Sequence, residues 1–155
     1  MNTTTRYSRI HKTISTTVSL FLLLPGLALG AQEVSVSTDG VNVRIGPGTD
    51  FPVYMELFQG YPLKVIEKKG DWLKISDFEN DNGWIYASLV APGTTVIVNA
   101  EKSINMRAKP STSAPIIATV DRGVVLTKLS SQGQWTEVKH SQGTIGWIYS
   151  PLLWP

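Results

Sequence analysis

The tetrapeptide Gly83-Trp84-Ile85-Tyr86 returns unchanged, sixty-three residues on, as Gly146-Trp147-Ile148-Tyr149. The same offset pairs Asn42 and Arg44 with Asn105 and Arg107, and Pro47 and Pro52 with Pro110 and Pro115. It also pairs Gly60, Leu63, Gly70, Trp72 and Leu89 with Gly123, Leu126, Gly133, Trp135 and Leu152. The register holds from about Val34 to Pro155 without net insertion, so the chain carries a duplicated module. Any fold must therefore be one that roughly sixty residues can close, twice.

Residues 1–30 read as a secretory signal: Arg6, Arg9, His11 and Lys12, then an apolar run from Val18 through Leu29, then Ala28-Leu29-Gly30 before a cleavage point at Ala31. The apolar run is short for a membrane span of about 20 residues, so no stable span is expected after cleavage. The predicted organisation is signal 1–30, first domain 31–92 and second domain 93–155, with an exported, periplasmic or extracellular location. Pro155 closes the second copy, and no third domain or C-terminal anchor is expected. There is no cysteine, which excludes lipid attachment through one and leaves packing, not disulfides, to hold the fold.

The full chain has 14 Lys and Arg against 12 Asp and Glu, but three bases and no acids fall in the signal, leaving eleven against twelve. That balance does not favour nucleic acid. The copies differ: residues 31–92 hold nine acids and five bases, residues 93–155 three acids and six bases. A pair charged −4 and +3 is suited either to docking on itself or to facing different partners.

Period-two alternation runs through the rest. Val34 to Ser37, Val41 to Arg44, Val53 to Leu57, Leu63 to Lys68, Trp72 to Ser76 and Gly83 to Tyr86 read as strands, with turns at Thr38-Asp39-Gly40, Gly46-Pro47-Gly48, Gly60 and Lys69-Gly70-Asp71. Copy two repeats the plan in Val96 to Val98, Ile104 to Arg107, Ile116 to Val120, Val124 to Leu129, Trp135 to Lys139 and Gly146 to Tyr149. No window has helical spacing. Ala91-Pro92-Gly93-Thr94 is a short, stiff connector, which argues for a fixed mutual orientation.

Val41-Asn42-Val43-Arg44 with Gly46-Pro47-Gly48, Gly70-Asp71-Trp72, and Gly83-Trp84-Ile85-Tyr86 with Leu89 together resemble the bacterial SH3-type (SH3b) domain, and the tandem resembles exported bacterial proteins built from two such modules. In copy two Ala108-Lys109-Pro110-Ser111 replaces the Gly-Pro-Gly form. The resemblance implies an all-β chain of two small SH3-like barrels, five- or six-stranded and strongly bent. It also implies Ile85 and Ile148 in the core, with Trp84 and Trp147 partly covered.

Catalytic machinery has little to build on. His140 is the one histidine after the signal, and a triad would hang on it alone. Asp77 to Gly83 alternates oxygen donors like a calcium loop, but its glycine is one place late and Ser88 stands where a bidentate Glu is needed. A solvated hairpin is expected there; no catalytic residue, metal or cofactor is predicted. Arg44 and Arg107 are expected to pair with a carboxylate or a backbone carbonyl.

The resemblance implies that Trp72 and Trp135 take the place of the tryptophan lining the SH3 ligand groove. Tyr54, Phe58, Tyr61 and Tyr86 would complete that groove in copy one, and Tyr149 in copy two. Leu89 and Leu152 stand where a groove tyrosine would be, which disfavours recognition of a proline helix. The expected function is a non-catalytic binding module for peptidoglycan or cell-wall peptides in the bacterial envelope. The alternative is a structural or adaptor protein binding another envelope protein through a barrel edge or the inter-domain cleft.

Overall fold

The computed structural model describes residues 32–155, so the signal expected at 1–30 lies outside the described residues. From Gln32 the alternation becomes sheet. Strand β1 (Gln32–Val36) buries Val34 and Val36, and β2 (Val41–Arg44) buries Val41 and Val43 around an exposed Asn42. Strands β3 (Val53–Leu57), β4 (Pro62–Lys69), β5 (Trp72–Ser76) and β6 (Asn82–Tyr86) follow. A single 3-10 turn, Ala87–Leu89, then reverses the chain into β7 (Val90–Pro92). Copy two runs β8 (Thr95–Val98), β9 (Ile104–Arg107), β10 (Ile116–Val120), β11 (Val125–Gln132), β12 (Trp135–Lys139) and β13 (Ile145–Tyr149). It ends in a 3-10 turn, Ser150–Leu152, and β14 (Leu153–Trp154).

Each copy is one antiparallel seven-stranded sheet, ordered β3-β2-β6-β5-β4-β1-β7 and β10-β9-β13-β12-β11-β8-β14. This corrects the expected closed five- or six-stranded barrels: no ladder joins β3 to β7 or β10 to β14, so each sheet curls but stays open. The additional strands are β7 and β14. Ala91-Pro92 is thus not connector but an edge strand, with Val90, Ala91 and Pro92 opposite Val36, Ser35 and Val34. Proline is tolerated there because an edge has a side that no neighbour needs.

Curling is forced at the repeated glycine. A Cβ on Gly83 would overlap Val43 Cγ1 and lie 3.1 Å from the carbonyl oxygen of Arg44; one on Gly146 would meet Met106 Cγ at 2.6 Å and the Arg107 oxygen at 3.0 Å. Glycine therefore lets β6 press on β2, and β13 on β9, more closely than any side chain permits. Inside the curl lie two equivalent cores. Val34, Val36, Val41, Val43, Leu57, Leu63, Ile75 and Ile85 form the first; Val96, Val98, Ile104, Met106, Val120, Leu126, Val138 and Ile148 form the second. Ile85 and Ile148 are fully buried, whereas Trp84, at 9% exposure, is more covered than Trp147 on the opposite sheet face.

The ladders shift register at the same places in both copies. Ile66 and Leu129 are extra residues between paired positions on β4 and β11, as are Tyr54 and Ile117 on β3 and β10. All four are exposed. A bulge adds one residue and bends the strand, so the strict alternation expected across Leu63 to Lys68 breaks at Ile66.

Contacts bind the copies to each other. Thr95 Oγ1 donates to the Gly60 carbonyl at 2.6 Å and lies 2.7 Å from Ser35 Oγ, while Thr94 N–H donates to Ser35 Oγ. Arg122 reaches across to Glu79 at 3.5 Å and lies over the Phe78 ring at 5.1 Å, and Lys64 lies over Trp154 at 5.3 Å. The exposed Arg122–Glu79 pair contributes little; the half-buried hydroxyl bonds contribute more.

Two predictions follow from this packing. Gly83→Ala is expected to cost about 1–3 kcal/mol through overpacking. Gly70→Ala, with a φ of 57° but nothing within 4 Å of its added methyl, should cost only about 1 kcal/mol. Urea unfolding of both variants tests the order, and a Gly83 change no worse than the Gly70 change contradicts the close-approach account. Thr95→Val should lower stability by about 1–3 kcal/mol by leaving the Gly60 carbonyl without its donor and Ser35 with the Thr94 N–H alone. Its midpoint shift in the same assay checks the figure.

Candidate ligand groove

The turn between β1 and β2, the loop from Gly46 to Asp50, and the facing ends of β5 and β6 enclose a groove of about 690 Å³. Asn42, Arg44, Thr49, Trp72, Tyr86 and Leu89 line it. Their equivalents Asn105, Arg107, Thr112, Trp135, Tyr149 and Leu152 line a groove of about 350 Å³ at the same place in copy two. A concave site built twice from corresponding residues is the natural place to look for a ligand.

Its floor is an aromatic pair. Trp72 and Tyr86 are directly opposite in the β5–β6 ladder, and their rings meet edge-on with centroids 5.5 Å apart. Trp135 and Tyr149 repeat this at 5.7 Å. Such edge-to-face packing holds the rings in place. Tyr86 is exposed, while Trp72, Trp135 and Tyr149 are half-buried. Tyr149 Oη donates to Gln134 Oε1 at 3.2 Å; Asp71 stands at the corresponding place in copy one and makes no side-chain hydrogen bond with Tyr86.

Arg44 holds the wall. Its Nη1 donates to the carbonyls of Thr49 and Phe51 at 3.0 and 2.7 Å, wrapping the loop around the guanidinium. Phe51 packs on Gly46, where any Cβ would overlap its ring. In copy two Arg107 donates to the carbonyl of Ala114 at 2.7 Å. Ala114 stands where Phe51 does, and Lys109 where Gly46 does. A small residue at one position lets a large one stand at the other. Both arginines thus bond to backbone carbonyls, and ring packing explains the glycine at 46.

Of the seven aromatics singled out from sequence, the structure places Trp72 and Tyr86 in one groove and Trp135 and Tyr149 in the other. It sets Tyr54, Phe58 and Tyr61 elsewhere. Tyr54 is the bulged residue of β3; the Asp81 carboxylate raises its phenol above the ordinary value, chiefly through hydrogen bonding. Phe58 lines a separate cleft between the copies, of about 430 Å³, with Gln59, Val124, Lys139 and His140. Tyr61 packs against the first core, edge-on to Phe58 at 5.3 Å, and donates to Asp77 Oδ2 at 3.3 Å. Sequence reasoning passed over Asn42 as a groove residue, although its recurrence as Asn105 was a usable signal. It also passed over Asp39 and Asp50, which line the first groove.

The segment resembling a calcium loop has another explanation. Asp77 is only 3% exposed, and its Oδ1 accepts the N–H groups of Glu79 and Asp81 at 2.9 and 2.8 Å. It is the internal brace of the hairpin, not a solvated ligand. His140 takes its place in copy two, with Nδ1 accepting from the Gln142 N–H at 3.2 Å, and Gly143 replaces the left-handed Asn80. His140 is therefore half-buried and bonded. Among the described residues no group of three or more His, Cys, Asp or Glu is placed to hold a metal, and no helix is long and apolar enough to cross a membrane.

Two open, curled sheets, each with an aromatic groove, make a tandem of small β modules. The model of the bacterial SH3 domain matches residues 37–92 and again 100–155, and the chain belongs to that family. It is 31% identical, over 142 residues, to the Bacillus subtilis (strain 168) protein named "Putative N-acetylmuramoyl-L-alanine amidase YrvJ", matching 80% of this chain and 27% of that protein. Similar solved structures include NlpC2 from Trichomonas vaginalis (16% identity, TM-score 0.38, 80% of this chain and 48% of that one). An NlpC/P60 family protein from Bacillus cereus ATCC 10987 is also similar (14%, 0.38, 78% and 55%). The endolysin LysPBC5 CBD is a third (16%, 0.30, 80% and 93%). The matches do correct one expectation. The tandem is expected to resemble exported bacterial proteins built from two such modules; the curated relative it matches is a longer protein, of which this chain spans about a quarter.

Tyr61 supplies a pH prediction. Burial, and next the charge of Asp77, raise its phenol pKa. The folded state then holds the proton more tightly than the unfolded chain, which ionises first above its ordinary value of about 10. Stability present below that pH is expected to be lost as pH rises past it. Tyr61→Phe should flatten the loss in urea midpoints taken from neutral to alkaline pH; an unchanged alkaline slope contradicts the assignment.

Proposed function

We propose that this chain is an exported, non-catalytic module that holds cell-wall peptide in its aromatic grooves, the first groove being the main site. The observation that carries this reading is the recurrence of one groove, lined by corresponding residues, with twice the volume in copy one. Flat rings shed water onto an extended chain, and the polar wall of Asn42, Thr49 and the loop carbonyls offers hydrogen-bond partners to its backbone. The Bacillus subtilis relative, named as a putative N-acetylmuramoyl-L-alanine amidase, supports peptidoglycan as the polymer concerned. The absence of cysteine from the sequence removes thiol chemistry.

A second reading has its own observation. The free edges of β3 and β10 carry exposed Val53 and Tyr54, and Ile116 and Ile117, which favour docking of an envelope protein by strand addition. Co-sedimentation of the purified chain with protein-free sacculi separates the two. Wall binding is expected, with about tenfold loss in Trp72→Ala, the scale set by a buried aromatic anchor, and a smaller loss in Trp135→Ala. Retention unaffected by Trp72→Ala rejects the groove. Failure to sediment, with recovery of one defined protein from an envelope extract, favours the edge.

A further inference from the structure

The two grooves share their aromatic floor but not their charge. Asp39 and Asp50 line the first groove. Lys102 and Ser113 stand at the corresponding places in copy two, where neither acid is kept. Both aspartates are exposed, and among the described residues no Lys or Arg lies within salt-bridge distance of either. Asp39 uses Oδ1 to accept the Gln59 N–H at 2.8 Å, which orients the carboxylate and leaves Oδ2 open. The one cation in the wall, Arg44, is turned to the carbonyls of Thr49 and Phe51. The first groove thus combines an aromatic floor with two unpaired carboxylates. The second has the same floor with no carboxylate in its lining, and its tyrosine hydroxyl is already bonded to Gln134.

We propose that the first groove selects a peptide bearing a protonated amino group, held between Asp39 and Asp50 with the adjoining chain lying on Trp72 and Tyr86, and that the second groove lacks this preference. This rests on the groove reading above and gives it a substrate class. An ammonium in that position gains charge-assisted hydrogen bonds from the carboxylates and attraction from the ring faces. The second groove offers no carboxylate to the same group, and Lys102 stands in sequence where Asp39 does. The amino group has two possible sources, a free chain terminus or a basic side chain, and both present the same chemistry.

The test uses the purified chain, isotope-labelled, so that the indole N–H signals of Trp72 and Trp135 report each groove separately. Three probes are titrated: alanyl-alanyl-alanine amide, acetyl-alanyl-lysyl-alanine amide, and acetyl-alanyl-alanyl-alanine amide. At least one amine-bearing probe is expected to bind at Trp72 about three- to tenfold more tightly than the fully acetylated one, the range for two exposed charge pairs. Which one does so identifies the source. The preference should shrink with added salt, be absent at Trp135, and vanish in the double variant Asp39→Asn/Asp50→Asn. Asparagine keeps an oxygen for the Gln59 N–H, so the fold is retained, and an unchanged Trp135 signal verifies it. Equal binding of all three probes at Trp72 overturns the amine preference while leaving the groove reading intact. A preference that survives the double variant overturns it too. No response at Trp72 to any probe overturns it together with the groove.

Discussion

The close approach of β6 to β2 at Gly83, repeated by β13 and β9 at Gly146, is the constraint on which the rest depends. With a methyl in that space the strand would have to lift away from Val43 and the Arg44 carbonyl, and the sheet would flatten. The curl brings β1 and β4 round to close over Ile75 and Ile85, so that about sixty residues can surround a core. It also sets the end of β5 and β6 against the loop from Gly46 to Asp50, which is how a groove arises between segments distant in sequence. The sheet remains open at β3 and β7, so burial inside the curl, and not ladder closure, holds each copy together.

Around that frame, residues change in compensating sets. Phe51 over Gly46 becomes Ala114 beside Lys109, with an arginine bonded to a nearby carbonyl in each. Asp77 bracing its hairpin with two accepted N–H groups becomes His140 accepting one, and Asn80 in the left-handed region becomes Gly143. Each change keeps the backbone path and alters what the surface presents. The repeated tetrapeptide therefore records the requirements of the curl, while the chemistry offered to a ligand is set outside it.

This division explains what the sequence disclosed. Strands were legible wherever alternation and burial agree, as in Val41-Asn42-Val43-Arg44, because the period of two is a direct consequence of the pleat. The strands β7 and β14 were not, since three- and two-residue edges carry no period. Bulges at Tyr54 and Ile66 hid for a related reason: an extra residue is invisible until its partner strand is known. Tyr54, which the resemblance puts in the groove, is one of these bulged residues and lies outside it. Trp72 and Tyr86 could be grouped because they oppose each other across one ladder after a tight turn. Asp39 and Asp50 could not, because only the curl brings their loops together, and neither loop carries a motif that marks it.

The unequal charge of the copies left two possibilities, mutual docking or separate partners, and the contacts weigh against the first as its main use. Of the nine acids in copy one, only Glu79 forms an ion pair with copy two, and that pair is exposed. The contacts that join the copies more closely are the neutral hydroxyl bonds of Ser35, Thr95 and Gly60 and two cations lying on aromatic rings. None of these requires a net charge of −4 facing +3. Asp39 and Asp50 are instead displayed in the first groove, whereas the second is lined by no acid, with Lys102 and Ser113 at the matching sequence positions. Charge that is not spent on the interface and sits beside the aromatic floor acts on whatever enters it. The two modules are then alike in what they require to fold and unlike in what they can hold.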